Sequence, residues 1–253
     1  MQSLRAILTG GALALASVTP VLAQEIPVPA KQDWSFNGAF GTYDRAALQR
    51  GFQVYREVCA ACHSMNLLAY HDLSGIGYSD AEVKAIAASV SVADEDDSGQ
   101  PMERPGRPSD RFKAPFPNEK AAQAANNGAL PKDLSLIVRG REYGPDYVFA
   151  LLTEFGDPPK DVKMANGMYY DAEFPGHQIA MPPPLSDDRV TFADGTKANV
   201  AEEARDVVTF LSWASDPHLE DRHRLGARVM IFLAAFSGVM YGVKRKVWSK
   251  IEH

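Results

Sequence analysis

Cys59-Ala60-Ala61-Cys62-His63 contains the only two cysteines in the chain. Two thiols three positions apart, followed at once by an imidazole, form the C-x-x-C-H pattern of covalent haem attachment. At a helix end the two thiols can reach the two vinyl groups on one edge of a porphyrin. The next residue then places its imidazole under the iron. No cysteine is left for a disulfide framework, so the fold is not stapled. A thioredoxin-like C-x-x-C needs a strand before it and a helix after it; here the pattern predicts a helix before and a loop after. A zinc site would need two more ligands at suitable spacing, and the histidines are scattered.

Export is expected from the N-terminus. Arg5 precedes the small, apolar run Ala6 to Val18, and Val21-Leu22-Ala23 suits a signal peptidase, which places cleavage before Gln24. The run is too short and too broken by Gly, Ser and Pro20 to favour an uncleaved anchor. At the other end, Leu225 to Val243 is close to the ~20 apolar residues of a bilayer span. No polar stripe marks it as a core helix. Lys244, Arg245, Lys246 and Lys250 follow it, with Trp248 as an interface aromatic, so the C-terminus is expected in the cytoplasm and the preceding domain outside it. Arg222, His223 and Arg224 on the outer flank weaken that bias slightly. The expected layout is a signal over 1–23, a periplasmic haem domain over 24–221, a membrane helix over 222–245 and a cytoplasmic tail over 246–253.

Between these ends, 253 residues with 45% hydrophobic content allow one globular domain. A net charge of −6 argues against nucleic acid and suits a basic protein partner. Asp44 predicts the N-cap of a helix carrying Leu48, Phe52 and Tyr55 into Cys59. Ser79 to Glu82 is a capping box opening a helix through Val90. Asp94 to Pro117, with an acidic run and five prolines, cannot be a regular helix and is expected as a surface excursion or mobile loop. Short helices are predicted over Asp133–Arg141 and Asp146–Phe155, and a small hairpin over Val190–Thr196. Asn199 and Glu202 cap a last soluble helix that Pro217 ends. The fold class is therefore mostly α, a class I-like cytochrome c domain with long loops plus one C-terminal transmembrane helix.

The second axial ligand of the iron decides function. A thioether closes the iron and suits electron transfer, whereas an open iron suits ligand binding or peroxidase-type chemistry. Met1 leaves with the signal, Met230 and Met240 lie in the membrane helix, and Met65 is too near His63 to reach the opposite face. Met102, Met164, Met168 and Met181 remain, with His71 and His177 as weaker rivals. Met181 is favoured because Pro182-Pro183-Pro184 stiffens the backbone after it. The propionates need donors, and on spacing alone Arg139 and Arg141 serve equally well.

Taken together, these segments resemble the cytochrome c1 family. The resemblance rests on Arg50 to Tyr55 leading into Cys59–Ser64, on Ala125 to Pro131, and on Asp133 to Ser135 with Arg139 and Arg141. It continues through Asp146 to Phe149, Phe174-Pro175-Gly176, Met181 to Pro184, Asp206 to Trp213, Asp216-Pro217 and the C-terminal anchor. It implies one covalent haem c on Cys59 and Cys62, with His63 and Met181 as axial ligands. It also assigns Arg141, rather than Arg139, to a propionate and places Asn126 and Tyr147 in the haem pocket.

The implied role is electron transfer from a Rieske iron–sulfur protein to a cytochrome c, beside cytochrome b in a quinol–cytochrome c reductase (bc1) complex. The chain would be a redox subunit with no catalysis of its own. The short signal favours a bacterial inner membrane. A free-standing anchored cytochrome shuttling to an oxidase or photosynthetic centre is the alternative. Some bacterial relatives bridge the loop before the ligand Met with a cysteine pair. This chain has none, so Pro packing alone is expected to hold that loop. Asp94 to Asp97 suggests a docking patch for a basic cytochrome.

Overall fold

The computed structural model describes residues 27–250, so the predicted export signal lies outside the described residues. Asp44 starts α1 (Arg45–Glu57) as expected, its carboxylate accepting from the backbone N–H of Ala46 and Ala47. The helix gives way at Cys59–Ala61 to a 3-10 turn, and a second 3-10 segment covers Tyr70–Ile76. The capping box is formed as read: Ser79 N–H and Oγ both donate to Glu82, and α2 spans Asp80–Ala88. Then follow β1 (Ser91–Glu95), β2 (Pro101–Pro105), α3 (Glu119–Ala125) and α4 (Pro145–Thr153). β3 (Tyr169–Tyr170), β4 (Gln178–Ile179), α5 (Val200–Ser215) and α6 (Leu219–Trp248) complete the chain.

The core forms where α1 crosses α5. Leu48, Phe52, Val54 and Tyr55 of α1 meet Val207, Phe210, Leu211 and Trp213 of α5, all buried. Gly51 makes the crossing possible: a Cβ there would stand 2.0 Å from the Asp206 carbonyl oxygen. Polar closure of the same crossing comes from Arg50, whose Nε and Nη2 reach the two Asp206 oxygens at 2.6 and 2.9 Å. Asp206 is buried, and this bidentate geometry offsets part of the desolvation of its charge, which still holds its carboxyl up at about 6. An aromatic cluster of Phe52, Tyr55, Phe112, Phe210 and Trp213 packs beside it at centroid separations of 5.6–6.0 Å.

Three local expectations are corrected. The Asp94–Pro117 excursion is partly ordered as an antiparallel hairpin, with Ser91 opposite Pro105 and Glu95 opposite Pro101. Asp133–Arg141 is a run of turns rather than a helix. The Asp133 carboxylate is occupied by Ser64 Oγ and the Asn66 N–H, 2.7 and 2.8 Å away, so it ties two segments together instead of only capping its own. No hairpin forms over Val190–Thr196. Glu203 takes the Val190 N–H at 3.1 Å and Asp194 takes the Thr196 N–H at 3.0 Å, which leaves no ladder to build. A second short hairpin forms elsewhere and joins Tyr169 to Ile179.

α6 is the long apolar helix expected at the C-terminus. Its 30 residues extend about 45 Å, against ~30 Å of bilayer hydrocarbon. Leu225, Ile231, Phe232 and Val239 are each at least 60% exposed, with apolar side chains on every side. A helix of this kind fits a membrane anchor. Charged contacts join it to the domain. Arg139 and Arg222 both pair with Asp216, and Glu220 binds the Arg45 guanidinium at 2.7 Å.

Candidate haem-binding site

The C-x-x-C-H segment is folded into one tight turn. The Cys59 carbonyl accepts from the N–H of Cys62 at 3.1 Å and of His63 at 2.9 Å. Both thiols and the imidazole thus project from five consecutive residues at the C-terminal end of α1. Burial pushes the Cys59 thiol up to about 12, and Cys62 is exposed.

His63 is the most firmly oriented side chain of the turn. Its Nδ1 lies 2.7 Å from the Lys132 carbonyl oxygen. A carbonyl only accepts, so Nδ1 carries the proton and Nε2 keeps a lone pair. A backbone acceptor that holds Nδ1–H in this way prepares a histidine to ligate a metal through Nε2. Burial foremost lowers the affinity of the ring for a second proton, against the opposing pull of Lys132 and Asp133. The Lys132 segment is itself sewn to the turn: Leu134 N–H donates to Ser64 at 2.9 Å, and Leu67 N–H to Ser135 Oγ at 3.0 Å. Against a zinc reading, no group of three or more His, Cys, Asp or Glu could hold a metal among the described residues.

Arg141 and Tyr147 come together. With Glu142, Phe174 and Pro175 they line a cleft of about 190 Å³. Burial raises the Tyr147 phenol, and the Arg141 charge opposes that rise. The structure also separates the two arginines that spacing left equal. Arg139 is committed to Asp216, whereas the only hydrogen bond of the Arg141 guanidinium within the described residues is to its neighbour's carbonyl, Gly140, at 3.0 Å. Asn126 closes α3 and is half-buried, its amide donating to Ala122 at 2.7 Å. A second cleft of about 270 Å³, lined mainly by Phe52, Tyr55, Tyr70 and Phe112, abuts the turn through Ala60 and holds none of these other residues.

Met181 lies two residues past the end of β4 and is half-buried. The loop that carries it is not held by proline alone. Tyr169 pairs with Ile179, Phe155 bridges Asp171, and the Asp171 carboxylate accepts from Glu173 and Phe174 N–H at 2.9 and 2.8 Å. Among the rival methionines, Met102 and Met168 are 43% and 40% exposed, while Met164, like Met181, is half-buried outside any strand or helix. Met65 is fully buried in the hydrophobic core. His71 and His177 are exposed. Sequence reasoning missed the Lys132 carbonyl and the Asp133 tie, because a backbone acceptor has no side-chain signature.

These residues suit a haem: paired thiols, an imidazole presented through Nε2, a thioether on an ordered loop and an uncommitted guanidinium. With the helical domain and the apolar C-terminal helix, they define a c-type cytochrome on a membrane anchor. A model described as the Cytochrome C1 family matches residues 34–251. The chain is 42% identical over 240 residues to the cytochrome c1 of Rhodospirillum rubrum, which covers 88% of each protein. It is 48% identical over 221 residues to the mitochondrial cytochrome c1 heme protein of Kluyveromyces lactis, covering 87% of this chain and 76% of that one. It is also 47% identical over 268 residues to a Bradyrhizobium diazoefficiens protein named cytochrome b/c1, covering 96% of this chain but only 39% of that longer protein. The chain belongs to the cytochrome c1 family. That family carries covalently bound haem c, and its members are the electron-transfer subunit of the bc1 complex.

Proposed function

We propose that this chain passes single electrons within a bc1 complex, receiving them from a Rieske iron–sulfur protein beside cytochrome b and delivering them to a soluble or anchored cytochrome c. The observation that carries this reading is the His63 imidazole, oriented by the Lys132 carbonyl within the C-x-x-C-H turn. Cys59 and Cys62 form the thioethers, and His63 and Met181 are the axial ligands. Arg141 neutralises a propionate, and Asn126 and Tyr147 line the pocket.

When bound, haem c supplies a one-electron couple that requires no bond to be made or broken in a substrate. Everything else falls to the chain. His63 stays neutral and fixed in one tautomer. Met181 offers a soft sulfur that favours the reduced metal. Arg141 supplies a fork of donors that no carboxylate among the described residues already claims. On this reading the chain is a redox subunit without catalysis of its own.

The placement proposed is a bacterial inner membrane, with an export signal over 1–23, the haem domain over 24–221 in the periplasm, a span over 222–245 and a cytoplasmic tail over 246–253. The described helix Leu219–Trp248 contains that span. Lys244, Arg245, Lys246 and Lys250 support the orientation.

Mild-detergent purification from the native membrane through a C-terminal tag tests the assembly. Haem b spectra and a Rieske EPR signal at stoichiometric levels are the expected result. Haem c alone would transfer the chain to the free-standing shuttle reading.

A further inference from the structure

Phe40 is 87% exposed, the most exposed of the large hydrophobic side chains described. It stands in an uncharged stretch, Ser35 to Tyr43, and its neighbours Gly38 and Ala39 are exposed as well. The base of this tip is rigid. Trp34 Nε1 donates to Asp146 at 2.7 Å, Thr42 N–H donates to Ser35 at 3.0 Å, and Phe36 and Tyr43 are buried with ring centroids 5.2 Å apart. A phenylalanine held out on a fixed base is not explained by packing within the domain.

Its place in the molecule supplies an explanation. The Tyr43 N–H donates to Glu220 at 2.9 Å, and the Gly41 carbonyl lies 3.1 Å from His223 Nδ1. Glu220 and His223 lie in the first turns of α6, so the tip is stapled beside the root of the anchor. Leu225, 60% exposed, begins the apolar run of α6 only about 3 Å further along the axis. Arg228, within one turn of Leu225, suits a lipid phosphate, whereas Arg222 and Arg224 at this level are paired with Asp216 and Asp221. The apolar tip is thus continuous with the surface on which α6 enters the bilayer.

We propose that Phe40, with Ala39, inserts into the outer interface of the lipid bilayer and gives the domain a second point of contact with the membrane. The proposal rests on α6 spanning that membrane. The occupant is lipid rather than protein because the tip is small, uncharged and level with the start of the apolar helix. Two membrane contacts, one at α6 and one at Phe40, limit rotation of the domain about the helix axis and so set which face it turns to its partners.

The test replaces Phe40 in the full-length chain by the photoreactive analogue p-benzoylphenylalanine and irradiates native membranes. Asp97, at the tip of the β1–β2 hairpin, receives the same analogue as a water-exposed control. A haem c spectrum and retention of the chain in washed membranes confirm that the variant has assembled and that α6 is anchored. The expected result is a phospholipid adduct at position 40, read as a mass increase of the chain, well above that at position 97. A protein-sized adduct would show that another chain covers Phe40, and would overturn the proposal. A yield no higher than at position 97 would place Phe40 in water and overturn it equally. Loss of the washed chain from the membrane would instead refute the anchor reading on which the proposal depends.

Discussion

His63 owes its usable tautomer to a single backbone oxygen, and the electron-transfer reading depends as much on what lies opposite. Met181→Leu removes the proposed thioether and keeps most of its volume. The reduced variant should bind carbon monoxide, and its midpoint potential should fall by roughly a tenth of a volt or more. An unaltered potential with no carbon monoxide binding would exclude Met181 as a ligand. Nearby, Asp171 is fully buried, its Oδ2 has no hydrogen-bond partner among the described residues, and burial foremost, with Glu173 and Glu154 adding, pushes its carboxyl up to about 6. A carboxyl raised in the native state binds more protons there than in the unfolded chain. Native stability should therefore fall as pH rises from about 4 through about 6. Asp171→Asn keeps an oxygen for the Glu173 and Phe174 N–H groups and cannot ionise. It should be more stable than the parent at pH 7, by on the order of 2 kcal/mol, with the difference vanishing below pH 4. Thermal melts across that range give the answer, and equal pH slopes for both proteins would rule out Asp171 as the source.

Among the elements, the α1–α5 crossing does most to place the haem turn, because α1 runs straight into Cys59. Gly51 permits the close approach, and Arg50 fixes its register through Asp206. Gly51→Ala adds one methyl where the Asp206 backbone already stands. Overpacking of this kind should cost at least about 2 kcal/mol, even though alanine is the better helix former. A lower melting temperature with a lower yield of haem-loaded protein is expected. An unchanged melting temperature would mean that the two helices separate freely, contrary to the packing described. The β3–β4 hairpin plays the matching role on the Met181 side, with the Asp171 carboxylate bracing its loop.

For the whole molecule, charge is distributed between internal ties and free surface. Asp94 pairs with Arg104, which also holds Asp110, and Asp96 accepts from Ser98 and Gln100 to close the hairpin turn. Only Glu95 and Asp97 of the acidic run have no such internal bond from their side chains within the described residues. Neutralising all four would loosen the hairpin and confuse folding with docking. Glu95→Gln with Asp97→Asn is the cleaner pair. If the hairpin steers a basic cytochrome, oxidation at low ionic strength should slow by up to roughly ten-fold, and the difference should fade with added salt. An unchanged salt dependence would leave the hairpin a solvated arm. At the other pole, Asp216 joins Arg139 of the haem-side turns to Arg222 of α6, so the domain is braced on its anchor by charge as well as by chain continuity.

Local chemistry alone determined the C-x-x-C-H turn, the Asp44, Ser79 and Asn199 caps and the apolar C-terminal helix. Each depends on residues within a few positions of one another, where side-chain type dictates the outcome. The order of the remaining segments was enough for the family resemblance, and with it came the choice of Arg141. Other features depend on partners distant in sequence. Asp133 looked like the start of a helix and became a tie to Ser64 and Asn66, because its carboxylate bonds across 67 and 69 residues as well as to the Ser135 N–H of its own turn. The Val190 N–H went to Glu203 instead of a hairpin partner, and Arg139 was drawn off by Asp216, 77 residues away. Buried backbone donors and charged groups must each find a partner, and which partner they find is settled only when the elements pack.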